Sequence, residues 1–143
     1  MKICFVCHAN ICRSFLAQEI LKDLAVKNGR SDIMVFSRGV YAREDLRPPQ
    51  KIKNFLSDQG IAYNEAHFPV LISREDLKNA SLVFVMTNDQ FEELADKYSE
   101  YSDKIHLFLG EEDMEDPISL TGKAFEKTAL KIKNAVLEIF KKL

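Results

Sequence analysis

Residues 7–14, Cys-His-Ala-Asn-Ile-Cys-Arg-Ser, stand between an apolar run at 3–6 and a helical pattern that begins at Ser14. The run Ile3, Cys4, Phe5, Val6 suits a strand buried on both faces. After Ser14, Leu16, Ala17, Ile20, Leu21 and Leu24 share one face, and Asn28-Gly29 supplies a stop. A strand feeding a helix through so short a loop aims the unpaired N–H groups of the first turn at one spot, at the positive end of the helix dipole. A tetrahedral dianion such as phosphate fits there. Arg13 can add a two-pronged donor. The same field favours the ionised form of a thiol at the start of the loop, which makes Cys7 a candidate nucleophile. Ser14 can donate a hydrogen bond to that sulfur.

The rest of the chain alternates between strand and helix signals. Strands are expected at 33–37, 81–86 and 105–109, and helices from Pro48-Pro49 to about Ser57, from a Thr87 or Asn88 cap to about Tyr98, and from about Gly122 onward. Ser73 with Asp76 caps a shorter helical turn. Residues 61–72 read as irregular, 38–47 as a polar stretch, and 110–117 as an acidic loop. Such alternation implies a single α/β domain over 1–143: three layers, a four-stranded parallel sheet flanked by helices on both faces, and a phosphate-binding loop after strand 1. Ligands of such sheets sit beyond the carboxyl ends of the strands, which points to Cys7–Ser14, Ser37–Arg47 and the loop before Pro117.

Attack by a thiolate on a phosphate ester needs an acid for the leaving oxygen. Asp116, fixed by Pro117 and flanked by Glu112, Asp113 and Glu115, is the candidate. With these residues in place, the chain resembles the low-molecular-weight protein tyrosine phosphatases. Their nucleophile loop reads Cys-x-Gly-Asn-x-Cys-Arg-Ser-Pro, and their acid is the Asp of an Asp-Pro before the last helix. The resemblance covers the whole chain. Ser37 and Gly39 match a segment after strand two, Pro48-Pro49 opens helix two, and Gly60-Ile61, His67, Ile72 and Asp76-Leu77 follow the middle of the pattern.

The resemblance implies a phosphomonoester hydrolase that forms a phosphocysteine on Cys7. Arg13 would bind the equatorial oxygens. Asp116 would protonate the leaving group and then serve as base for the attacking water. His8, Ala9, Asn10, Ile11, Cys12, Arg13 and Ser14 would surround the phosphate, and Asn10, Ser37 and His67 would hold the loop open. The expected substrate is phosphotyrosine in proteins or a small aryl phosphate, with no cofactor and no metal.

Three departures stand out. Ala9 replaces Gly, and a positive φ there would strain the loop by about 1 kcal/mol. Phe15 replaces Pro. The rim positions that usually offer aromatic walls hold Arg43, with Tyr41 nearby, and Ile118. An arginine at the rim would attract acidic groups beside the phosphate. Two relatives on the same fold are alternatives. Arsenate reductases need further cysteines, and none follows Cys12. Protein arginine phosphatases carry Thr where this chain has Ile11. A non-catalytic phosphate-binding or redox-sensing module is the remaining alternative. Cys4 with Cys7 makes a Cys-x2-Cys, but Cys4 lies inside the strand run and reads as packing.

Charge and cysteine content limit the setting. Twenty basic and twenty-two acidic residues leave a net charge of −2, with no field for nucleic acid or an anionic membrane. No apolar run approaches the roughly 20 residues of a membrane span. Three cysteines cannot form a disulfide framework, so a reducing cytoplasm is expected.

Overall fold

The computed structural model describes all residues, 1–143. Four strands, β1 (Lys2–Cys7), β2 (Met34–Gly39), β3 (Leu82–Val85) and β4 (Ile105–Leu107), pair in parallel in the order β2-β1-β3-β4. Five helices connect them: α1 (Arg13–Lys27), α2 (Gln50–Asp58), α3 (Arg74–Asn79), α4 (Asn88–Lys97) and α5 (Gly122–Lys141). The central strand β1 sends Ile3, Phe5 and Cys7 into the core shared with α1, α2 and α5, and Cys4 and Val6 into the core shared with α3 and α4. This two-sided burial is why its sequence runs apolar without alternation. Cys4 and Cys7 therefore belong to opposite faces of the sheet and cannot share a metal ion.

Local physics sets most element ends. Pro49 keeps φ −64° and ψ 154°, so α2 begins one residue later than the Pro-Pro pair suggests and runs to Asp58. Ser73 and Asp76 exchange side-chain and backbone hydrogen bonds as a capping box for α3, and Thr87 Oγ1 accepts from Gln90 N to cap α4. Two strand ends differ from expectation by more than one residue. β2 extends to Gly39 because Ser37, Arg38 and Gly39 pair with Phe5, Val6 and Cys7 along β1. β4 stops at Leu107, although Phe108 N still donates to Val85 O at 2.8 Å. Part of the stretch read as irregular is pinned to the sheet. Gly39 N donates to Val70 O and Ile72 N donates to Gly39 O, both at 2.9 Å.

The strand order reverses between β1, whose next strand lies to one side, and β3, which lies on the other. That switch point opens a crevice at the carboxyl ends of β1 and β3, where α1 and α4 begin.

Candidate active site

β1 ends at Cys7 and α1 begins at Arg13, so residues 8–12 form the loop between them. Cys12 precedes the helix without a side-chain cap, which leaves the first-turn N–H groups of α1 without a protein acceptor on that side. The loop turns at Asn10, which has φ 60° and is the sole non-glycine residue with positive φ. Asn tolerates that region better than other non-glycine residues. Ala9 lies at negative φ, so its methyl group carries none of the strain that a positive φ would have brought.

Asn10 also organises the buried polar groups. Its Nδ2 donates to Ser14 Oγ at 2.8 Å and to Ser37 Oγ at 2.9 Å, and its Oδ1 accepts from Val70 N at 3.0 Å. Ser37 Oγ donates onward to Gln18 Oε1 at 2.8 Å. His67 Nε2 lies 2.9 Å from the Asn10 carbonyl oxygen. Burial lowers the His67 pKa from its ordinary value, outweighing the hydrogen bond to Asn10 that raises it. The neutral ring therefore donates its Nε2–H. It also lies against Phe15, with ring centroids 4.5 Å apart, so the Phe that replaces Pro packs the histidine that braces the loop.

The sulfur sits inside this frame. Cys7 Sγ is 3.0 Å from Ser14 Oγ and accepts from Asn10 N at 3.3 Å. Because Ser14 Oγ already accepts from Asn10, its own proton is available to the sulfur. Both contacts bring a donor group to the sulfur. Cys12 is different: burial, and then the charges of Asp116 and Cys7, push its pKa well up, so it stays a thiol.

Arg13 is 6% exposed. One of its terminal nitrogens donates to Met114 O at 2.8 Å, and the other lies 3.6 Å from Asp116 Oδ2. Its Nε is buried with no partner, and an unpaired guanidinium N–H is costly unless a ligand fills the place. Asp116 Oδ1 accepts from Ile118 N at 3.1 Å, closing the turn at Pro117. Lys51 of α2 donates to Leu120 O at 2.7 Å and ties that turn to the body of the molecule. The neighbouring acids face elsewhere: Asp113 accepts from Asn88, and Glu112 pairs with Lys131.

His8, Arg13, Val40, Tyr41, Thr87, Asp89, Gln90, Glu93 and Asp116 line a crevice of about 560 Å³ over the loop. A larger apolar groove of about 670 Å³ between β4 and α5 holds none of the chemistry described here. The rim differs from expectation at two of its three residues. Tyr41 lines the crevice, its ring tilted on His8 with centroids 4.9 Å apart. Arg43 does not; a two-pronged bond to Asp45, at 3.1 and 2.7 Å, holds it in an exposed pair. Ile118 is 45% exposed outside the lining, and its part in the site is made by its backbone. Ile11 is buried in the core. No three His, Cys, Asp or Glu side chains are grouped to hold a metal ion, and no helix is long and apolar enough to cross a membrane.

Residues that the sequence did not single out complete the site. Gln18 and Glu19 are buried polar residues on α1, the first bonded to Ser37 and the second accepting from Asn64 N at 3.3 Å. Two polar residues amid the apolar stretch 15–21 were the available signal. Gly39 packs so close to the loop that a Cβ would meet His8 O at 2.7 Å. The α4 residues Asp89 and Glu93 had no signal at all, since both read as an ordinary solvated face.

Known proteins share this architecture. A protein-arginine-phosphatase of Bacillus subtilis is 26% identical, over all of this chain and 97% of its own. The crystal structure of a low-molecular-weight protein tyrosine phosphatase from T. tengcongensis superposes with a TM-score of 0.92 at 32% identity, covering 100% of this chain and 99% of that one. The YwlE arginine phosphatase with a phosphorylated active-site serine superposes with a TM-score of 0.90 at 26% identity, covering 100% and 95%. The family model for low molecular weight phosphotyrosine protein phosphatases matches residues 2–143, and the chain belongs to that family.

Proposed function

We propose that the protein hydrolyses phosphotyrosine in proteins through a phosphocysteine on Cys7. The observation that carries the assignment of roles is the convergence on one crevice of a sulfur with two donors, a buried arginine with an unpartnered Nε, and a carboxylate 3.6 Å from that arginine. The phosphate would sit on the loop N–H groups and the Arg13 fork, opposite the Cys7 thiolate. As the thiolate forms the S–P bond, the P–O bond to the substrate breaks. Asp116, protonated, gives its proton to the departing oxygen. In the second step the Asp116 carboxylate takes a proton from water as that water attacks phosphorus. The S–P bond breaks and inorganic phosphate leaves. Ser14 would stabilise the sulfur when it departs.

Tyrosine is favoured as the bearer of the phosphate by the His8–Tyr41 pair on one wall, which offers a face to a ring. A second reading, phosphoarginine as substrate, is favoured by the protein-arginine-phosphatase relatives. A panel of p-nitrophenyl phosphate, a phosphotyrosyl peptide, a phosphoarginyl peptide and arsenate, run in EDTA, separates the readings. Turnover of the first two and its loss in Cys7→Ser are expected, because a serine hydroxyl does not ionise near neutral pH. Full activity in Cys7→Ser refutes the mechanism. A phosphoarginyl preference overturns the tyrosine assignment alone.

A further inference from the structure

The crevice has two unlike walls. His8 and Tyr41 form an aromatic one. Opposite, the start of α4 presents Thr87, Asp89, Gln90 and Glu93 to the same space as Arg13 and Asp116. Gln90 is engaged by the backbone, its Oε1 accepting from Met86 N at 2.9 Å. Asp89 and Glu93 are both exposed, and the charges around them are committed elsewhere. Arg13 faces Asp116. Lys97, one turn beyond Glu93, lies over the Tyr98 ring at 5.5 Å. Lys131 pairs with Glu112, and Arg43 with Asp45. Asp89 has a local use in the first turn of α4, where the dipole favours an acid. Glu93 has none: at i,i+4 from Asp89 it repels a like charge.

Two acids beside a phosphate site are a disadvantage for a bare phosphate, which they repel. The floor of the same cavity nonetheless holds a cation suited to phosphate, because Arg13 lines it, nine-tenths buried and with an Nε that has no partner. One kind of ligand satisfies both ends: a phosphate group on the floor, carried by a segment that places a cation against the wall. We propose that Asp89 and Glu93 determine specificity by selecting phosphotyrosine sites flanked by Lys or Arg. This rests on the phosphotyrosine reading above. It reverses the preference for acidic neighbours that an arginine at position 43 suggested.

The test compares two phosphotyrosyl peptides that differ only in having Lys or Glu on both sides of the phosphotyrosine. Each is assayed with the parent and with the Asp89→Asn/Glu93→Gln double variant. Rim charges act modestly, so the parent should prefer the basic peptide by about 3–10-fold in kcat/KM at low salt. At about 0.5 M salt the preference should shrink below about twofold, as screening shortens the reach of the acids. In the double variant the ratio should approach one. Its KM for p-nitrophenyl phosphate should fall as repulsion is relieved, while kcat/KM for the basic peptide falls too. A merely structural role for the two acids would worsen both substrates together. Equal cleavage of the two peptides by the parent, or a preference that survives in the double variant, overturns the acidic wall and leaves the phosphatase assignment standing. Hydrolysis of p-nitrophenyl phosphate with neither peptide cleaved refutes the phosphotyrosine reading, and this proposal with it.

Discussion

Replacing Gly39 with Ala tests whether the end of β2 sets the shape of the phosphate loop. The added Cβ would lie 2.7 Å from the His8 carbonyl oxygen, 3.1 Å from the Ala9 carbonyl carbon and 3.1 Å from Asn10 Cβ. Comfortable contact needs roughly 3.5 Å, so the loop must retreat by about 0.4–0.8 Å. All three atoms belong to the loop itself, and the His8 oxygen already accepts from Tyr41 N at 2.9 Å. No flexible side-chain end can absorb the clash. Overpacking of this kind costs about 1–3 kcal/mol. At roughly 0.3 kcal/mol per degree for a chain of this length, Tm should fall by about 3–10 °C. A 1 Å misplacement of reacting groups costs on the order of a hundredfold, so a shift of about half that should lower kcat/KM for p-nitrophenyl phosphate by roughly tenfold. Inhibition by free phosphate should weaken in parallel. Gly29→Ala is the control. Gly29 has φ +64° with nothing within 4 Å of a built Cβ, at the far end of α1. It should lose about 1–2 kcal/mol to backbone strain and leave the kinetics alone. If Gly39→Ala matches Gly29→Ala in both Tm and kcat/KM, the close approach of β2 does not shape the loop.

Asp116→Asn should lower turnover by roughly 10²–10⁴-fold on esters with poor leaving groups and far less on good ones; a loss independent of the leaving group assigns the general acid elsewhere. Mild peroxide should convert the Cys7 thiolate to a sulfenic acid, which the neighbouring Cys12 thiol can capture as a disulfide with release of water. Recovery in dithiothreitol, normalised to each protein's untreated rate, should then be greater in the parent than in Cys12→Ser, and equal recovery makes Cys12 a packing residue. His67 should make stability depend on pH. Burial depresses its folded-state pKa below the ordinary 6.5, so its contribution is complete above about pH 6.5 and is lost as pH falls and the unfolded ring takes up a proton. The drop in denaturant midpoint between about pH 7.5 and pH 5.5 should be smaller in His67→Gln; an unchanged drop places the titration on another group.

Local rules were enough for the layout of the chain. The two-sided burial of β1 left an unbroken apolar run, the caps at Ser73 and Thr87 depend on residues three positions apart, and Pro49 fixes its own φ. The grouping of the loop side chains was legible for the same reason: Cys7, Asn10, Arg13 and Ser14 lie within eight residues, and a strand–loop–helix segment brings them together. Asp116 is 103 positions from Arg13, and its pairing with that arginine was read from a family pattern rather than from spacing. What only the tertiary structure decided was which distant side chains share the crevice. Arg43 follows β2, the strand paired with β1, yet the nearby Asp45 captures its guanidinium and turns it out of the rim. Asp89 and Glu93 follow a different strand, and only the pairing of β3 beside β1 brings α4 to the edge of the crevice. Hydrophobic periodicity is a property of the neighbouring chain, whereas charge acts through space, so the sequence determined the catalytic loop and the fold determined what stands across from it.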